Sequence, residues 1–185
     1  MKKYQIIYAD PPWSYNDKMT GHSFSLDHEY ETQDIEWIKS LPIKEIAEKD
    51  SLLFLWVVSP QLQEGLDVMK AWGFEYKTLG FCWVKEYHPQ SLAIVKNLGH
   101  YTMGGVELCL VGRKGKPRRI AKNISQVLYA PRGRHSQKPE EARKRIVQLM
   151  GDIPRIELFA RQKTEGWDVW GNEVESDIEI NPTRR

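Results

Sequence analysis

The amino-acid sequence predicts an α/β fold, with a mainly parallel, doubly wound sheet that carries helices on both faces. Apolar runs of strand length alternate with helical segments along the chain, which is the pattern of parallel strands joined by helices. The run at 51–58 is apolar after its first residue, as expected of a strand covered on both faces. The length of 185 residues suits one domain with a single substantial core.

The individual elements follow from periodicity and from the residues that begin and end helices. Asp34 is a suitable cap for one helix, and Gly73 and Gly151 are suitable ends for two others. The expected helices are 34–40, 61–72 and 138–150, with a short turn at 42–48. The expected strands are 4–7, 51–58, 78–85, 107–112, a short edge strand at 126–129, and 155–159.

The first strand ends abruptly at Asp10-Pro11-Pro12-Trp13. A proline has no N–H for a sheet ladder, and it keeps the preceding Asp10 extended. Ligands of open α/β sheets bind beyond the carboxyl ends of the strands, where this group lies. The Asp10 carboxylate and the proline carbonyls accept hydrogen bonds, and Trp13 has a flat face that can stack on a base. The group therefore suits an exocyclic amine on an aromatic ring, the alternative being a plain turn with Trp13 in the core.

The charge of the chain is unevenly distributed, although its net value is only +2. A basic block follows the strand at 107–112, and its cations could neutralise several phosphates. We expect the block to lie beside the base-binding group and to contact nucleic acid; a solvated surface loop is the alternative. Its residues are Arg113, Lys114, Lys116, Arg118 and Arg119, followed by Lys122, Arg132 and Arg134.

Composition narrows the class of protein further. Hydrophobic residues make up 41% of the chain and charged residues 28%, as in soluble globular proteins. No stretch approaches the roughly 20 apolar residues that span a membrane, and the N-terminus shows no signal peptide. Cys82 and Cys109 lie in apolar runs without metal-ligand spacing. We therefore expect reduced core thiols, no metal and a cytoplasmic location.

Several segments together resemble one enzyme family. Asp-Pro-Pro-Trp is the signature of the adenine-N6 methyltransferases that include the catalytic subunit of the eukaryotic messenger-RNA N6-adenosine methyltransferase and bacterial and phage DNA enzymes. The resemblance runs from Tyr8 to Glu173, and segments 160–162 and 166–170 are most similar to the prokaryotic and phage branch. It implies a Rossmann-like S-adenosylmethionine-dependent methyltransferase fold in permuted order. The other matching segments are 53–57, 83–85, 107–112, 136–139, 157–161 and 170–173.

The resemblance also implies where S-adenosylmethionine binds. The lack of a Gly-rich phosphate fingerprint fits this cofactor, because the link between its nucleoside and methionine carries no phosphate. The family binds it at the end of the strand that carries Glu157 and Phe159, beside Arg161. Two departures concern Ala160, where many methyltransferases have glycine, and Lys163-Thr164, which replace a His-Asn pair. The further cofactor residues that the resemblance implies are Asp10, Lys138, Asn172 and Glu173.

The implied reaction is methylation of adenine N6 in nucleic acid, with S-adenosylhomocysteine as the second product. Asp10 and the Pro11 carbonyl would accept the two amine hydrogens, and Trp13 would support the base. DNA is favoured over RNA because the matching branch is linked mainly to DNA, and two cysteines cannot build a zinc finger. The alternatives are an RNA adenosine methyltransferase, a catalytically silent nucleic-acid-binding partner, and an enzyme for protein glutamine or small amines.

Few segments of the chain are available to recognise a target sequence. Long polar connections are expected at 14–31 and 88–105, and the first is a candidate lid because it directly follows the catalytic group. We expect a single domain at 1–174 and a polar tail at 175–185. With no separate recognition domain visible, target selection would come from these connections, from the basic block, or from a second subunit such as another copy of the chain. The resemblance implies a bacterial or phage-encoded enzyme.

Overall fold

A computed structural model describes residues 2–14, 34–90, 93–99, 101–133 and 137–182. The helices are α1 (Ile35–Ser40), α2 (Ile43–Ile46), α3 (Leu62–Ala71) and α4 (Glu140–Met150), with a 3₁₀ turn at Ser59–Gln61. The strands are β1 (Tyr4–Ala9), β2 (Ala47–Val57), β3 (Glu75–Glu86), β4 (Val106–Lys114), β5 (Val127–Pro131), β6 (Arg155–Leu158) and β7 (Asp168–Trp170).

All seven strands form one sheet in the order β5-β3-β4-β2-β1-β6-β7. The pairs β1–β2, β1–β6, β6–β7 and β3–β5 are parallel, whereas β4 is antiparallel to both β2 and β3. The predicted mainly parallel sheet is therefore confirmed, with β4 as its reversed strand. Because of that reversal, β4 begins at the edge of the sheet where the other strands end.

Helices cover both faces of the sheet, as predicted. On one face, α1, α2 and α3 bury a cluster that includes Ile38, Trp72 and the β2 residue Leu55. On the other face, α4 packs Ala142 and Ile146 against a cluster rich in aromatic residues. Side chains of a strand alternate between faces, so β2 supplies apolar residues to both clusters, in keeping with its continuous apolar run.

The signals at helix ends were interpreted correctly. The Asp34 carboxylate accepts a hydrogen bond from the Glu36 N–H at 3.4 Å at the start of α1. Gly73 and Gly151 follow α3 and α4 with φ of 83° and 90°, in the left-handed region that glycine adopts at little cost. β5 lies at the edge of the sheet, as expected of the strand at 126–129.

The sequence missed two features of the chain's last third. β7 was not predicted, because three residues are too few to show a period. The packing of residues after 174 against β7 was not predicted either, and it lies within the segment expected to be a polar tail. The Asp177 carboxylate accepts the Val169 N–H at 2.8 Å, and Ile180 is only 6% exposed. Apolar residues at alternate positions, Ile178 and Ile180, were the available signal.

Candidate active site

Three hydrogen bonds fix the Asp-Pro-Pro-Trp turn: one lies within it, one reaches the end of β2, and one comes from the 3₁₀ turn after β2. The Trp13 N–H donates to the Pro11 carbonyl at 2.9 Å, which closes a tight turn directly after β1. The Trp13 indole N–H donates to the Trp56 carbonyl at 3.0 Å, and the Gln61 side-chain amide donates to the Ser14 carbonyl. Trp13 is half-buried and packs against the core on the α1–α3 face. The turn is therefore fixed at Trp13 and Ser14, directly after its two prolines.

Asp10 is the first member of a row of alternating charges. The Lys138 ammonium lies 2.7 Å from Asp10 Oδ2 and 3.3 Å from Glu107 Oε2. Glu107 Oε1 in turn pairs with Lys85. Three elements bring these residues to Asp10: the end of β3, the start of the reversed β4, and the approach to α4. Neither Glu107 nor Lys85 was proposed as a site residue from the sequence.

Burial and the neighbouring charges shift the pKa values of three of the four residues in this row. Burial raises the pKa of Asp10, and the positive charges of Lys138 and, more weakly, Arg161 act against this rise. Burial alone would lower the pKa of Lys138, but Asp10 and Glu107 outweigh it and raise that pKa. Burial would raise the pKa of Glu107, but Lys138 and Lys85 outweigh it and lower that pKa. At neutral pH Lys138 is therefore a fixed cation and Glu107 a fixed anion, and Asp10 is the carboxylate of the row that takes up a proton more readily than usual.

A second, deeper ion pair lies beneath the row. Arg143 Nε donates to Glu157 Oε2 at 2.7 Å, and its NH2 group donates to Oε1 at 2.5 Å, in a buried bidentate pair. The guanidinium also lies over the Tyr8 ring at 5.4 Å, and the Tyr8 hydroxyl accepts from the Trp56 indole at 2.8 Å. Both oxygens of Glu157, a predicted cofactor residue, are thus engaged by α4.

Four further predicted cofactor residues lie at the adjoining ends of β6 and β7. Phe159, directly after β6, has φ of 61°, which is rare for a bulky residue and marks a constrained position. Its ring packs edge-on against Trp170 with centroids 5.3 Å apart. Arg161 Nε lies 3.6 Å from Glu173 Oε1, and Glu173 is exposed. Asn172, between Gly171 and Glu173, is exposed at the same edge.

Gly171 explains how the chain approaches this edge without a glycine at position 160. A Cβ on Gly171 would lie 2.1 Å from the Ala160 carbonyl oxygen, so another residue cannot fit unless the backbone shifts. Ala160 itself is buried and donates its N–H to the Trp170 carbonyl at 3.0 Å. Residues 160 and 171 therefore approach closely, and glycine at 171 is what permits this contact.

The basic block does not lie beside Asp10, and this expectation was wrong. Because β4 is antiparallel, it carries the block to the edge of the sheet where β1, β2 and β3 begin. Arg113 pairs with Glu75 at 3.3 Å, and the Lys114 ammonium donates to the backbone carbonyls of Lys44 and Ala47. The sequence could not show this, because it does not state the direction of a strand.

Of the predicted nucleic-acid-binding residues that the structure describes, Arg132 lies near the catalytic edge. It follows β5, is exposed, and donates its backbone N–H to the Glu86 carbonyl at 3.3 Å, at the end of β3. Arg134 and the connection at 15–31 lie outside the described residues. Of the second predicted connection, the described part leaves the same edge and is joined to β3 through a Val95 N–H bond to the Lys85 carbonyl at 2.7 Å.

The fold is a mixed sheet with helices on both faces. Its first strand ends in the Asp-Pro-Pro-Trp turn, beside the polar residues at the ends of β6 and β7. Together these features define an α/β methyltransferase. The chain belongs to the MT-A70 family of S-adenosylmethionine-dependent methyltransferases, whose model matches residues 4–173. The family and the fold predicted from the sequence are therefore confirmed. Across the described residues, no helix is long and apolar enough to cross a membrane.

Similar proteins come from bacteria and from eukaryotes. The type II methyltransferase M.MunI of Mycoplasma sp is 37% identical, over 99% of this chain and 83% of that protein. The N(6)-adenosine-methyltransferase MT-A70-like protein of Drosophila melanogaster and the N(6)-adenosine-methyltransferase catalytic subunit METTL3 of Homo sapiens are 29% and 28% identical. Both match 97% of this chain, which spans only 28% and 30% of their lengths.

Proposed function

We propose that this chain methylates the exocyclic N6 of adenine in nucleic acid, with DNA as the substrate. The observation that carries the proposal is the Asp10 carboxylate, which burial makes more basic than usual and which a rigid turn holds at the end of β1. An amine with two hydrogens finds two acceptors there, Asp10 and the Pro11 carbonyl. That carbonyl already accepts the Trp13 N–H, but a carbonyl oxygen has a second lone pair.

The residues at the ends of β6 and β7 fit the cofactor. Arg161 is a cation for the methionine carboxylate, and Asn172 and Glu173 are exposed polar groups for the ribose hydroxyls. Phe159 adds an aromatic side chain at the same place. When bound, S-adenosylmethionine supplies an electrophilic methyl group on a sulfonium.

Asp10 and Pro11 orient the amine for the reaction. With both N–H groups bound, the nitrogen lone pair is directed out of the base plane, and the gain in rate comes from orientation and charge stabilisation. As N6 gains the methyl group it must lose a proton, and Asp10 is the group that would accept it. A duplex target would have to present its base out of the stack.

Lys138 serves the target side in this proposal. Its ammonium lies among Asp10, Glu107 and the Trp56 ring, 5.6 Å from the ring centroid, at the ends of β1 and β2 and the start of β4. The residues for the cofactor lie on the opposite side of β1, at β6 and β7. An entering amine takes the Asp10 oxygen that Lys138 now binds, while Glu107 retains the ammonium nearby.

Replacement of Lys138 by methionine should move the acidic limb of the pH–rate profile to higher pH. The positive charge of Lys138 lowers the pKa of Asp10, so its removal raises that pKa further and keeps Asp10 protonated to a higher pH. The measurement is kcat against pH, with Lys144→Met as the control because Lys144 is exposed on α4. An unshifted profile with a large loss of cofactor affinity by calorimetry would return Lys138 to the cofactor side.

The reaction itself is tested by incubating the purified protein with labelled S-adenosylmethionine and separate DNA and RNA pools. Nucleosides from each pool are then identified by mass spectrometry. We expect N6-methyldeoxyadenosine from DNA. N6-methyladenosine from RNA alone would overturn the choice of DNA, and methylation of neither pool would overturn the proposed function.

A further inference from the structure

The exposed cations of the basic block form a surface at the far end of the domain. Four of them, Lys116, Arg118, Arg119 and Lys122, are exposed, and none forms an ion pair with another described residue. We call these four the distal basic surface. Arg113 and Lys114 do not belong to it, because Glu75 and backbone carbonyls already satisfy them.

The segment that carries the distal basic surface is anchored rather than free. At its start, Gly115 has φ of 66°, and the Lys116 N–H donates to the Asp50 carboxylate at 2.7 Å. Further on, the Ile120 N–H donates to the Leu149 carbonyl at 2.8 Å, near the end of α4. Cations held by fixed backbone lose less freedom on binding a polyanion than cations on a free loop.

The surroundings of the surface hold both signs of charge, because Glu45, Glu48 and Asp50 lie at or just before the start of β2, but the cations there outnumber these carboxylates. Lys3 and Lys44 are exposed at the same edge, where β1 and β2 begin. Lys3 lies close enough to Lys114 to contribute, after burial, to the lowered pKa of that ammonium. A concentration of one sign of charge creates a field that attracts polyanions over about one Debye length, about 8 Å at physiological ionic strength.

We propose that the distal basic surface binds the phosphate backbone of the substrate nucleic acid, as a second contact remote from the methylated base. This inference rests on the proposed function. It assigns the surface to the nucleic acid that flanks the methylated adenine, not to the adenine itself. Four exposed cations without acidic partners match the regular phosphate charge of nucleic acid, which needs no shape-specific pocket.

The length of β4 sets a minimum length for a substrate that contacts both the catalytic edge and the distal basic surface. β4 has nine residues, which at about 3.3 Å per residue separates the catalytic edge from the block by roughly 26 Å. In duplex DNA, at about 3.4 Å per base pair, this corresponds to roughly 8 base pairs. A short duplex centred on the target adenine therefore cannot reach the distal basic surface, whereas a long one can.

The test compares Lys116→Gln/Arg118→Gln/Arg119→Gln/Lys122→Gln with the parent on two duplexes. One has about 5 base pairs on each side of the target and the other about 20, spanning the length limit. Binding is measured against salt in the Asp10→Asn background with S-adenosylhomocysteine, so that turnover plays no part. On the long duplex we expect the salt slope of log K to fall by up to about 3.6, at about 0.9 per lost phosphate contact. On the short duplex we expect no change.

The outcomes separate this inference from the proposed function. An equal loss on both duplexes would mean that the cations act near the target or only through general attraction, and the inference would fall. No loss on either would make the surface a solvated one, and would equally overturn it while methylation by the parent stands. If the parent binds neither duplex and methylates neither nucleic acid, the proposed function itself fails. The control is Lys70→Gln/Lys144→Gln, which removes two exposed lysines elsewhere on the protein. Its effect per removed charge is compared with that of the quadruple variant.

Discussion

Replacement of Asp10 by alanine abolishes methyl transfer, with an expected loss of about 100-fold or more in kcat. The variant lacks the carboxylate that we propose as acceptor of an amine hydrogen and then of the proton, and the Glu107 carboxylate of the same row is already paired with Lys138 and Lys85. Cofactor affinity should persist, because Arg161, Asn172 and Glu173 are untouched. Single-turnover kinetics measure the first effect and calorimetry with S-adenosylhomocysteine measures the second.

Asp10→Asn is the matched variant for this result. It retains the size of the side chain and one oxygen, but it loses the negative charge that faces Lys138 at 2.7 Å. If orientation alone mattered, asparagine would restore much of the rate; if proton acceptance matters, it would remain close to alanine, which we expect. A rate within tenfold of the parent for Asp10→Ala would end the assignment of Asp10.

Replacement of Arg143 by methionine should destabilise the fold by about 3 to 5 kcal/mol. The change leaves Glu157 charged, buried and without the two donors that now bind it. Urea unfolding gives the free energy of unfolding from the midpoint and the slope. Activity should fall as well, because the pair lies under the row that begins at Asp10.

The double variant Arg143→Met/Glu157→Leu separates charge from packing. Replacing both partners by apolar residues removes the unpaired charge and should recover most of the lost free energy of unfolding. A single variant that costs less than about 1 kcal/mol would show that water reaches Glu157, and the pair would then be no more than a surface ion pair.

Local signals in the sequence predicted the side of the site that begins at β1. The proline pair after an apolar strand gave both the end of β1 and the extended backbone of Asp10, since both follow from the covalent structure of proline. The caps of α1, α3 and α4 were equally local. Cys109 was expected to be a buried free thiol and is one, whereas Cys82 is only half-buried.

The partners of Asp10 could not be predicted, because they depend on the direction of one strand. An apolar run such as 107–112 looks the same whether it runs with its neighbours or against them. Only the reversed direction of β4 brings Glu107 to Lys138 and carries Arg113 and Lys114 away. The ion pair of Arg143 and Glu157 was hidden for a related reason, since it joins a helix and a strand whose facing residues follow from the packing alone.

The reversed direction of β4 also determines where the link between β3 and β4 lies. Antiparallel neighbours are joined by a simple reversal of the chain, whereas parallel strands need a crossover of a dozen or more residues. The described parts of the link between β3 and β4 leave and rejoin the sheet at the catalytic edge. We expect insertions and deletions in the exposed part of this link to leave the strand register unchanged. Variation of the link is therefore the change that we expect to alter sequence preference while the turn at the end of β1 is retained.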